Sequence, residues 1–334
     1  YPKNGDQMWD AYTTYSKDCE VEYDDDIVRQ SIEESYRIAF DRIGDFLPDN
    51  TVRLPDFVVP AGYTEDGYLE HLAKKGLAYA PCNIWKNQKY QDRLQHELKV
   101  IADRGFSKYF LTMKAISDKT NETQLSGPGR GSAAGSLVAY ALGITAIDPL
   151  RYGLLFSRFL RSDATDYPDI DYDVSDPMVL KEQLIEEWGS STVVPISNWN
   201  TLQLRSLLKD ISKFYDIPFQ EVNVVTSRML AEATPIAKKA HGIKAGVYTP
   251  TFEEVIKYSE TLQKFFKTYP DVKTHVEALQ GSYRSCSRHA GGVVVGEDLD
   301  KYMPLISSKG VRQTPWSEGQ NVRQLEPMGF IKFD

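Results

Sequence analysis

The chain has 334 residues, of which 41% are hydrophobic and 26% are charged, and its formal net charge is −8. This composition is typical of a soluble globular protein and excludes a disordered or collagen-like chain, and the length leaves room for two or more domains. The three cysteines are far apart and form no Cys-x-x-Cys pair, so we expect neither a disulfide framework nor a zinc site. A reducing cytoplasm is the predicted compartment.

The charge and the hydropathy of the chain bear on its partners. The most apolar stretch covers residues 136–147 and is shorter than the roughly 20 residues that a membrane helix needs, so no membrane partner is predicted. The acidic excess lies within residues 1–50 and leaves the rest of the chain balanced in charge. Residues 198–248 carry a modest basic surplus, which is compatible with contact to a DNA backbone.

The first predicted element is an acidic helix. Residues 24–44 place apolar side chains at helical spacing and end at Gly44, which is the usual position of a helix C-terminal cap. The stretch 54–60 contains two prolines, which favour an extended backbone in the residues that precede them. We therefore predict an acidic helical entry segment over residues 1–60 and a domain boundary near residue 60.

The next stretch predicts two packed elements ahead of a loop. Residues 90–102 repeat apolar side chains on one helical face and end at Gly105, which predicts a second helix. Residues 108–116 are mostly apolar and predict a buried helix or strand. A polar loop is predicted over residues 118–123, leading into a glycine-rich segment.

The second half of the chain is predicted to be mostly helical and then β-like. An amphipathic helix is predicted over residues 204–215, and a capping-box pattern at Thr251 and Glu254 predicts the start of another helix. Residues 178–280 therefore read as mostly helical. Residues 288–334 return to glycine-rich turns and short apolar runs, which are typical of short strands.

A glycine-serine segment over residues 126–136 precedes a helix-compatible run at 137–142. Glycines let a backbone approach a ligand closely, and the free N–H groups at a helix start favour an anion such as a triphosphate. Arg130 could add a bidentate phosphate contact, and Ser132 and Ser136 could add hydroxyl donors. The spacing matches neither the P-loop nor the dinucleotide-binding fingerprint, so a flexible loop remains the alternative interpretation.

Three aspartates, Asp169, Asp171 and Asp173, alternate with apolar residues after Pro168. On a strand this spacing places all three carboxylates on one face, where they favour a bound cation or an open, solvated surface. A calcium-binding EF-hand loop is excluded, because its invariant glycine is absent. Alternate strand residues are about 6.6 Å apart, so only two neighbouring aspartates could share a pair of ions, and the spacing does not choose which two.

Several longer segments carry a resemblance to a known family. The order of a glycine-serine loop, a helix and a segment with alternating aspartates is the order of a nucleotidyltransferase palm. The matching segments are 54–60, 104–111, 128–142, 148–150, 154–156, 158–160, 168–173, 288–295 and 329–334. Together they closely resemble the bacterial C-family replicative DNA polymerases over nearly the whole chain.

This resemblance implies an α/β fold with two parts. One is a nucleotidyltransferase-like palm with a mixed sheet and helices, and the other is an inserted, mostly helical thumb. The palm is then discontinuous, with residues 61–177 and 286–334 as its two parts and residues 178–285 as the thumb. The implied reaction is template-directed transfer of deoxynucleotides from deoxynucleoside triphosphates to a primer 3′ end.

The resemblance also assigns roles to individual residues. It implies that the catalytic metal ligands are Asp171, Asp173 and Asp334, and that the cofactor is a pair of Mg²⁺ ions, which Mn²⁺ can replace. From the loop and from strand alternation, we expect the nucleotide contacts at Arg130, Gly131, Ser132, Ser136 and Lys332. A structural ion pair with Asp334 is the alternative role for Lys332, because strand alternation places both side chains on one side.

The implied partners are primer-template DNA and deoxynucleoside triphosphates, with a sliding clamp and other replisome subunits bound through regions outside this chain. We expect the chain to be a core fragment without fingers that folds but does not extend a primer. The alternatives are a template-independent nucleotidyltransferase of related palm topology and a non-catalytic nucleic-acid-binding remnant.

Some positions depart from the family pattern or have no assigned role. Ser157 and residues 162–164 differ from the residues that are usual in the family, which leaves the contacts of Arg158 and Arg161 open. The roles of Arg288 and His289, which lie in a family motif beside two glycines, are open as well.

Overall fold

A computed structural model describes residues 3–19, 22–44, 49–244, 246–319 and 322–334. The chain divides into two compact units, Tyr1–Asn50 and Thr51–Asp334. This division lies before the predicted boundary near residue 60, because the proline-containing stretch after Thr51 packs with the larger unit. Leu54 is buried in the main core of that unit.

The smaller unit consists of helices α1 (Gly5–Cys19) and α2 (Asp25–Arg37), and α2 continues into a π-helical turn over Ile38–Arg42. Asp24 caps α2 by accepting hydrogen bonds from the N–H groups of the second and third residues after it. The helix predicted over residues 24–44 is thus confirmed for most of its length. No residue of α1 or α2 is buried within this unit, so their apolar side chains build no core of their own.

The main core of the larger unit is built from five helices in its first half. They are α3 (Glu65–Tyr79), α4 (Gln88–Asp103), α5 (Ser107–Thr123), α6 (Leu137–Ala141) and α7 (Pro177–Trp188). The helix predicted over residues 90–102 is confirmed as α4. The polar loop predicted over 118–123 is wrong, because α5 continues through it and keeps Thr120 fully buried.

A three-stranded antiparallel sheet joins distant parts of the chain. Its strands are β1 (Val193–Thr201), β2 (Tyr283–Val295) and a two-residue strand near the chain end, and β2 lies in the middle. In the register of the sheet, Val194 pairs with Val294. β1 interrupts the stretch predicted to be mostly helical. Its partner lies about 90 residues further on, so no local pattern announces the pairing.

Between β1 and β2 a separate helical core forms. It contains α8 (Leu204–Phe214), α9 (Phe219–Ala240), α10 (Phe252–Tyr258), α11 (Glu260–Thr268) and α12 (Pro270–Leu279). The amphipathic helix predicted over 204–215 is confirmed as α8, with Leu207 and Leu208 buried. The predicted capping box is also confirmed, since the side chains and N–H groups of Thr251 and Glu254 bond reciprocally.

The last part of the chain covers the other face of the sheet. It contains the short helix α13 (Leu299–Tyr302) and strands β3 (Ile306–Ser308), β4 (Val311–Gln313), β5 (Glu318–Gly319), β6 (Val322–Arg323) and β7 (Lys332–Phe333). β3 pairs with β4, β5 pairs with β6, and β7 completes the three-stranded sheet beside β2. A third apolar cluster packs here and includes Ile196, Leu299 and Phe330. Among the described residues, no helix is both long and apolar enough to span a bilayer.

The close approach of α3 to α6 depends on one glycine. A Cβ atom added at Gly76 would overlap the backbone carbonyl of Ala141, so only glycine lets the two helices meet at this distance. This contact fixes α6, which directly follows the glycine-serine segment.

Gly76→Ala should therefore destabilise the fold. Alanine gains about 1 kcal/mol of helix propensity over glycine, but overpacking against a backbone carbonyl costs about 1–3 kcal/mol, so the net change is unfavourable. The free energy of unfolding in urea measures it, with Lys75→Ala on the exposed side of α3 as the control. A Gly76→Ala protein as stable as the wild type would show that α3 and α6 can separate without cost.

Candidate active site

The three alternating aspartates lie on an extended segment that is not a strand of the sheet. Its backbone is held from two sides: Gly127 N–H donates to the carbonyl of Asp173 at 2.9 Å, and Tyr172 N–H donates to the carbonyl of Asp334 at 3.1 Å. The predicted strand is thus wrong as regular secondary structure. The predicted alternation holds, because Ile170 is buried between the flanking aspartates. These bonds bring the glycine-serine segment and the end of β7 to the same place.

The Arg130 guanidinium lies between two of the aspartates. Its nitrogens are 3.1 Å from Asp171 Oδ1 and 3.4 Å from Asp173 Oδ1. Hydrogen bonding to Asp171, reinforced by the charges of Asp171 and Asp173, raises the pKa of Arg130. A positive group at this point offsets the repulsion between two neighbouring carboxylates. The loop therefore faces Asp171 and Asp173 together, a choice that the sequence spacing left open.

Two glycines make this approach possible. Gly131 has φ +66, and a Cβ atom there would lie 2.6 Å from Asp171 Oδ2. A Cβ atom at Gly127 would lie 2.9 Å from the Cβ of Asp173. Any side chain at either position would push the loop away from the carboxylates.

Asp334 is held by a different cation. Lys332 Nζ lies 3.0 Å from Asp334 Oδ2, which is the ion pair that strand alternation predicts. His289 Nδ1 is 3.7 Å from Asp334 Oδ1, but it accepts a hydrogen bond from Gly292 N–H at 2.7 Å and therefore carries no proton there. Burial lowers the pKa of His289, while the charge of Asp334 opposes that shift. A neutral imidazole is the form that fits these contacts.

Asp169 has a different setting from Asp171 and Asp173. It lines a cavity of about 470 Å³ together with His289, Arg323, Glu326, Lys332 and Asp334. Desolvation raises the pKa of the Asp169 carboxyl, and the nearby Lys332 charge acts in the opposite direction. The four carboxylates thus divide into Asp171 and Asp173 on the loop side and Asp169 and Asp334 on the cavity side. In the described part of the chain, no three His, Cys, Asp or Glu side chains come close enough to hold one metal ion.

Ser136 has a structural position. Its side chain is fully buried, its hydroxyl donates to Glu97 Oε2 at 2.9 Å, and Ser136 Oγ accepts from Ala139 N–H at 3.1 Å. A hydroxyl with both partners inside the core does not reach a ligand, so the predicted nucleotide contact at Ser136 is not supported. Ser132, by contrast, is exposed at the start of a short 3₁₀ turn (Ser132–Gly135).

The sequence analysis did not identify two buried charged residues near the site. Glu97 is fully buried in α4, and Lys181 is 3% exposed in α7. Each lies next to apolar positions on the inner face of its helix, and a charge at such a position is the signal that could have identified both.

Lys181 supports the segment that carries His289. Its ammonium donates to the carbonyls of His289 and Ala290 at 2.8 and 2.7 Å. These residues lie in an irregular part of β2, where the register against β1 shifts between Pro195 and Ser197. Burial, followed by the charge of Arg288, lowers the pKa of Lys181 to about 8. Two carbonyl partners give a buried ammonium the hydrogen bonds that it needs.

The arginines with open roles are Arg288, Arg161 and Arg158. Arg288 pairs in register with Ser197 across β1 and β2. Arg161 lies 3.2 Å from Asp163 at the surface. Arg158 ends a 3₁₀ turn, Phe156–Arg158. None of these positions adds a contact to the carboxylates.

The mixed α/β architecture and the carboxylates beside a glycine-serine loop are consistent with a nucleotidyltransferase-like domain. A family profile described as "Bacterial DNA polymerase III alpha NTPase domain" matches residues 67–334. The chain belongs to this family, as the resemblance in its motifs predicted.

Individual relatives agree with the family profile. The chain is 34% identical over 291 residues to "DNA polymerase III subunit alpha" of Borreliella burgdorferi, with 84% of this chain and 24% of the relative covered. It is 33% identical over 314 residues to the protein of the same name from Aquifex aeolicus, with 86% and 26% covered. It is 32% identical over 292 residues to that of Mycobacterium tuberculosis, with 84% and 24% covered. The chain thus spans about a quarter of the length of these curated relatives.

Lys181→Met should weaken the fold although it removes a buried charge. The substitution leaves two carbonyls in the irregular part of β2 without their donor, and an unsatisfied polar group of this kind costs about 1–3 kcal/mol. Urea unfolding measures the loss against Lys89→Met, which replaces an exposed lysine of α4. Equal stability of the Lys181→Met and Lys89→Met proteins would mean that water replaces the ammonium.

Proposed function

We propose that this chain is the catalytic core region of a template-directed DNA polymerase that transfers deoxynucleotides to a primer 3′ end. The observation that carries the proposal is the placement of Asp171 and Asp173 against the loop that contains Arg130, with Asp334 held beside them through Tyr172 N–H. A carboxylate cluster facing a glycine-serine loop is what phosphoryl transfer requires from a protein: positioning and charge control.

The proposed domain roles follow the compact parts of the larger unit. The palm would combine the main helical core and the three-stranded sheet, which include residues 61–177 and 286–334. The thumb would be the separate helical core within residues 178–285. Because α7 packs in the main core and β1 belongs to the sheet, we place the thumb between Leu202 and Ser282, narrower than the segment implied by resemblance.

The chemistry of the donors at this site suits a hard divalent cation, although no three carboxylates among the described residues converge on one point in this structure. Asp171, Asp173 and Asp334 offer carboxylate oxygens, which Mg²⁺ prefers, and Mn²⁺ accepts the same ligands. When bound, a pair of such ions would lower the pKa of the primer hydroxyl and stabilise the departing pyrophosphate. The Arg130 guanidinium now supplies the positive charge between Asp171 and Asp173, so it must turn outward for a cation to bind there.

Arg130 is free to make that movement. Its side chain is 58% exposed, and its contacts are to the two aspartates. Turned outward, it could form bidentate hydrogen bonds with a triphosphate. Gly131 would allow close backbone approach, Ser132 would offer an exposed hydroxyl, and Lys332 would add positive charge on the cavity side. We leave Ser136 out of the proposed nucleotide contacts.

The proposed substrates are primer-template DNA and deoxynucleoside triphosphates. A sliding clamp and other replisome subunits are proposed partners of the longer protein, because the curated relatives extend well beyond the matched region.

Asp171→Asn or Asp173→Asn in the full-length protein should reduce primer extension by about 100-fold or more, since even residues that only support metal ligands contribute about 10- to 100-fold. DNA affinity should change little, because backbone contacts lie elsewhere. Asp169→Asn is the matched control and should be milder, as Asp169 makes no contact with Arg130. Extension with and without a template tests template dependence. Near-normal turnover in the Asp171→Asn protein would contradict the proposed function.

Gly131→Ala should reduce primer extension more than Gly153→Ala. Both glycines have positive φ, +66 and +65, but Gly131 also has ψ −160, a backbone region that is essentially restricted to glycine, so part of its loss would be backbone strain. Only the new methyl group at position 131 meets Asp171, while nothing lies within 4 Å at position 153. Steady-state extension rates and urea unfolding of both proteins separate the two effects. Equal rates for the two variants would contradict the proposed contact between loop and carboxylate.

A further inference from the structure

The glycine-serine loop is held from beneath by a buried ion pair on α4. The Glu97 carboxylate is fully buried, and each of its oxygens has a defined partner. Oε1 accepts from Arg93 Nε at 2.5 Å, while Oε2 accepts from Ser136 Oγ at 2.9 Å and from Val138 N–H at 3.0 Å. Glu97 therefore binds the point where the loop ends and α6 begins.

Arg93 completes the clamp on the carbonyl side. Its Nη2 donates to the Gly135 carbonyl at 2.8 Å and to the Leu154 carbonyl at 3.4 Å. The Arg93 and Glu97 side chains together bind donors and acceptors of four consecutive residues, Gly135 to Val138. The loop end is thus fixed through both its N–H and its C=O groups.

The energetics of the Glu97–Arg93 ion pair favour a role in fixing the backbone conformation over a role in stabilising the fold. Burial raises the pKa of the Glu97 carboxyl, and the backbone N–H groups of Leu137 and Val138 and the Arg93 charge act against that shift. A buried ion pair often contributes little net stability compared with apolar residues of the same size. A fully satisfied buried network does, however, restrict the backbone to one arrangement.

We infer that Glu97 is a positioning residue, which with Arg93 sets the conformation in which residues 127–132 present Arg130 and the loop backbone to a nucleoside triphosphate. This inference rests on the proposed function and names a determinant of nucleotide binding that does not touch the nucleotide. The N–H groups at the start of α6 are no part of the proposed nucleotide contact, since Glu97 accepts from Leu137 and Val138 and Ser136 Oγ accepts from Ala139.

Glu97→Gln is the informative substitution. The amide has the same size as the carboxylate, but one of its ends is a donor. Whichever way it is turned, the NH₂ group faces either Arg93 Nε or the pair of donors at Ser136 and Val138. At least one side of the network is therefore broken while the volume is unchanged.

Asp92→Asn is the matched control. It makes the same chemical change on the same helix, but Asp92 is exposed and its carboxylate accepts from Gln88 Nε2 at 2.8 Å. Arg93→Gln alone and combined with Glu97→Gln completes a double-mutant cycle. If the two residues act as a unit, the loss of nucleotide binding in the double variant should be smaller than the sum of the losses in the two single variants.

The KM for the deoxynucleoside triphosphate, kcat and DNA affinity are measured in primer extension by the full-length protein. Glu97→Gln should raise the KM about 10- to 100-fold, because a displacement of about 1 Å in a positioning element can cost that much. DNA affinity and the KM of the Asp92→Asn protein should match the wild type. A Glu97→Gln protein with a lower Tm but an unchanged KM would overturn the inference, as would an equal loss of nucleotide and DNA binding.

Hydrogen exchange of the loop amides distinguishes failure of this inference from failure of the proposed function. Absence of extension by the wild type would overturn the proposed function. In that case, protection of residues 127–138 upon addition of dATP and Mg²⁺, kept in Asp92→Asn and lost in Glu97→Gln, would still support the inference. Equal protection in the Glu97→Gln and Asp92→Asn proteins, or no protection in the wild type, would overturn it.

Discussion

The repulsion between crowded carboxylates is the constraint on which this site depends. Asp169, Asp171, Asp173 and Asp334 lie on two short backbone segments joined by the Tyr172 N–H bond. Like charges this close are tolerated only where cations or water stabilise them. Arg130 serves the loop side and Lys332 serves the cavity side. Gly127 and Gly131 allow the loop to approach the carboxylates closely, and Arg130 thereby reaches both Asp171 and Asp173.

Buried charged side chains on two helices hold the backbone segments that lie next to the carboxylates. Glu97 in α4 holds the end of the glycine-serine loop, and Lys181 in α7 holds the irregular part of β2 that carries His289. In both cases a long side chain crosses from one helix to backbone groups that their own helix or strand leaves without a partner.

The sequence predicts local features better than distant pairings. The helices over residues 90–102 and 204–215 and the capping box at Thr251 follow from periodicity and side-chain chemistry, and the structure contains all three. β1 escaped prediction because its strand partner, β2, lies about 90 residues further along the chain. The family and the loop next to the aspartates were predictable from motifs. The burial of Ser136 was not, because it depends on Glu97, a residue 39 positions earlier that no local spacing connects to the loop.

The strand order has a consequence for how the chain folds. The helical core from α8 to α12 is inserted between β1 and β2, and its contacts are mostly local, so it can form early. Once formed, it brings the ends of the two strands together, as the bonds between Leu202 and Ser282 and between Gly281 and Leu202 show. This shortens the effective loop that β1 and β2 must close, and the entropy cost of closure falls with loop length. The four carboxylates need β7 to lie against β2, so we expect them to assemble among the last parts of the molecule. A slow step in refolding would therefore delay the formation of the active site.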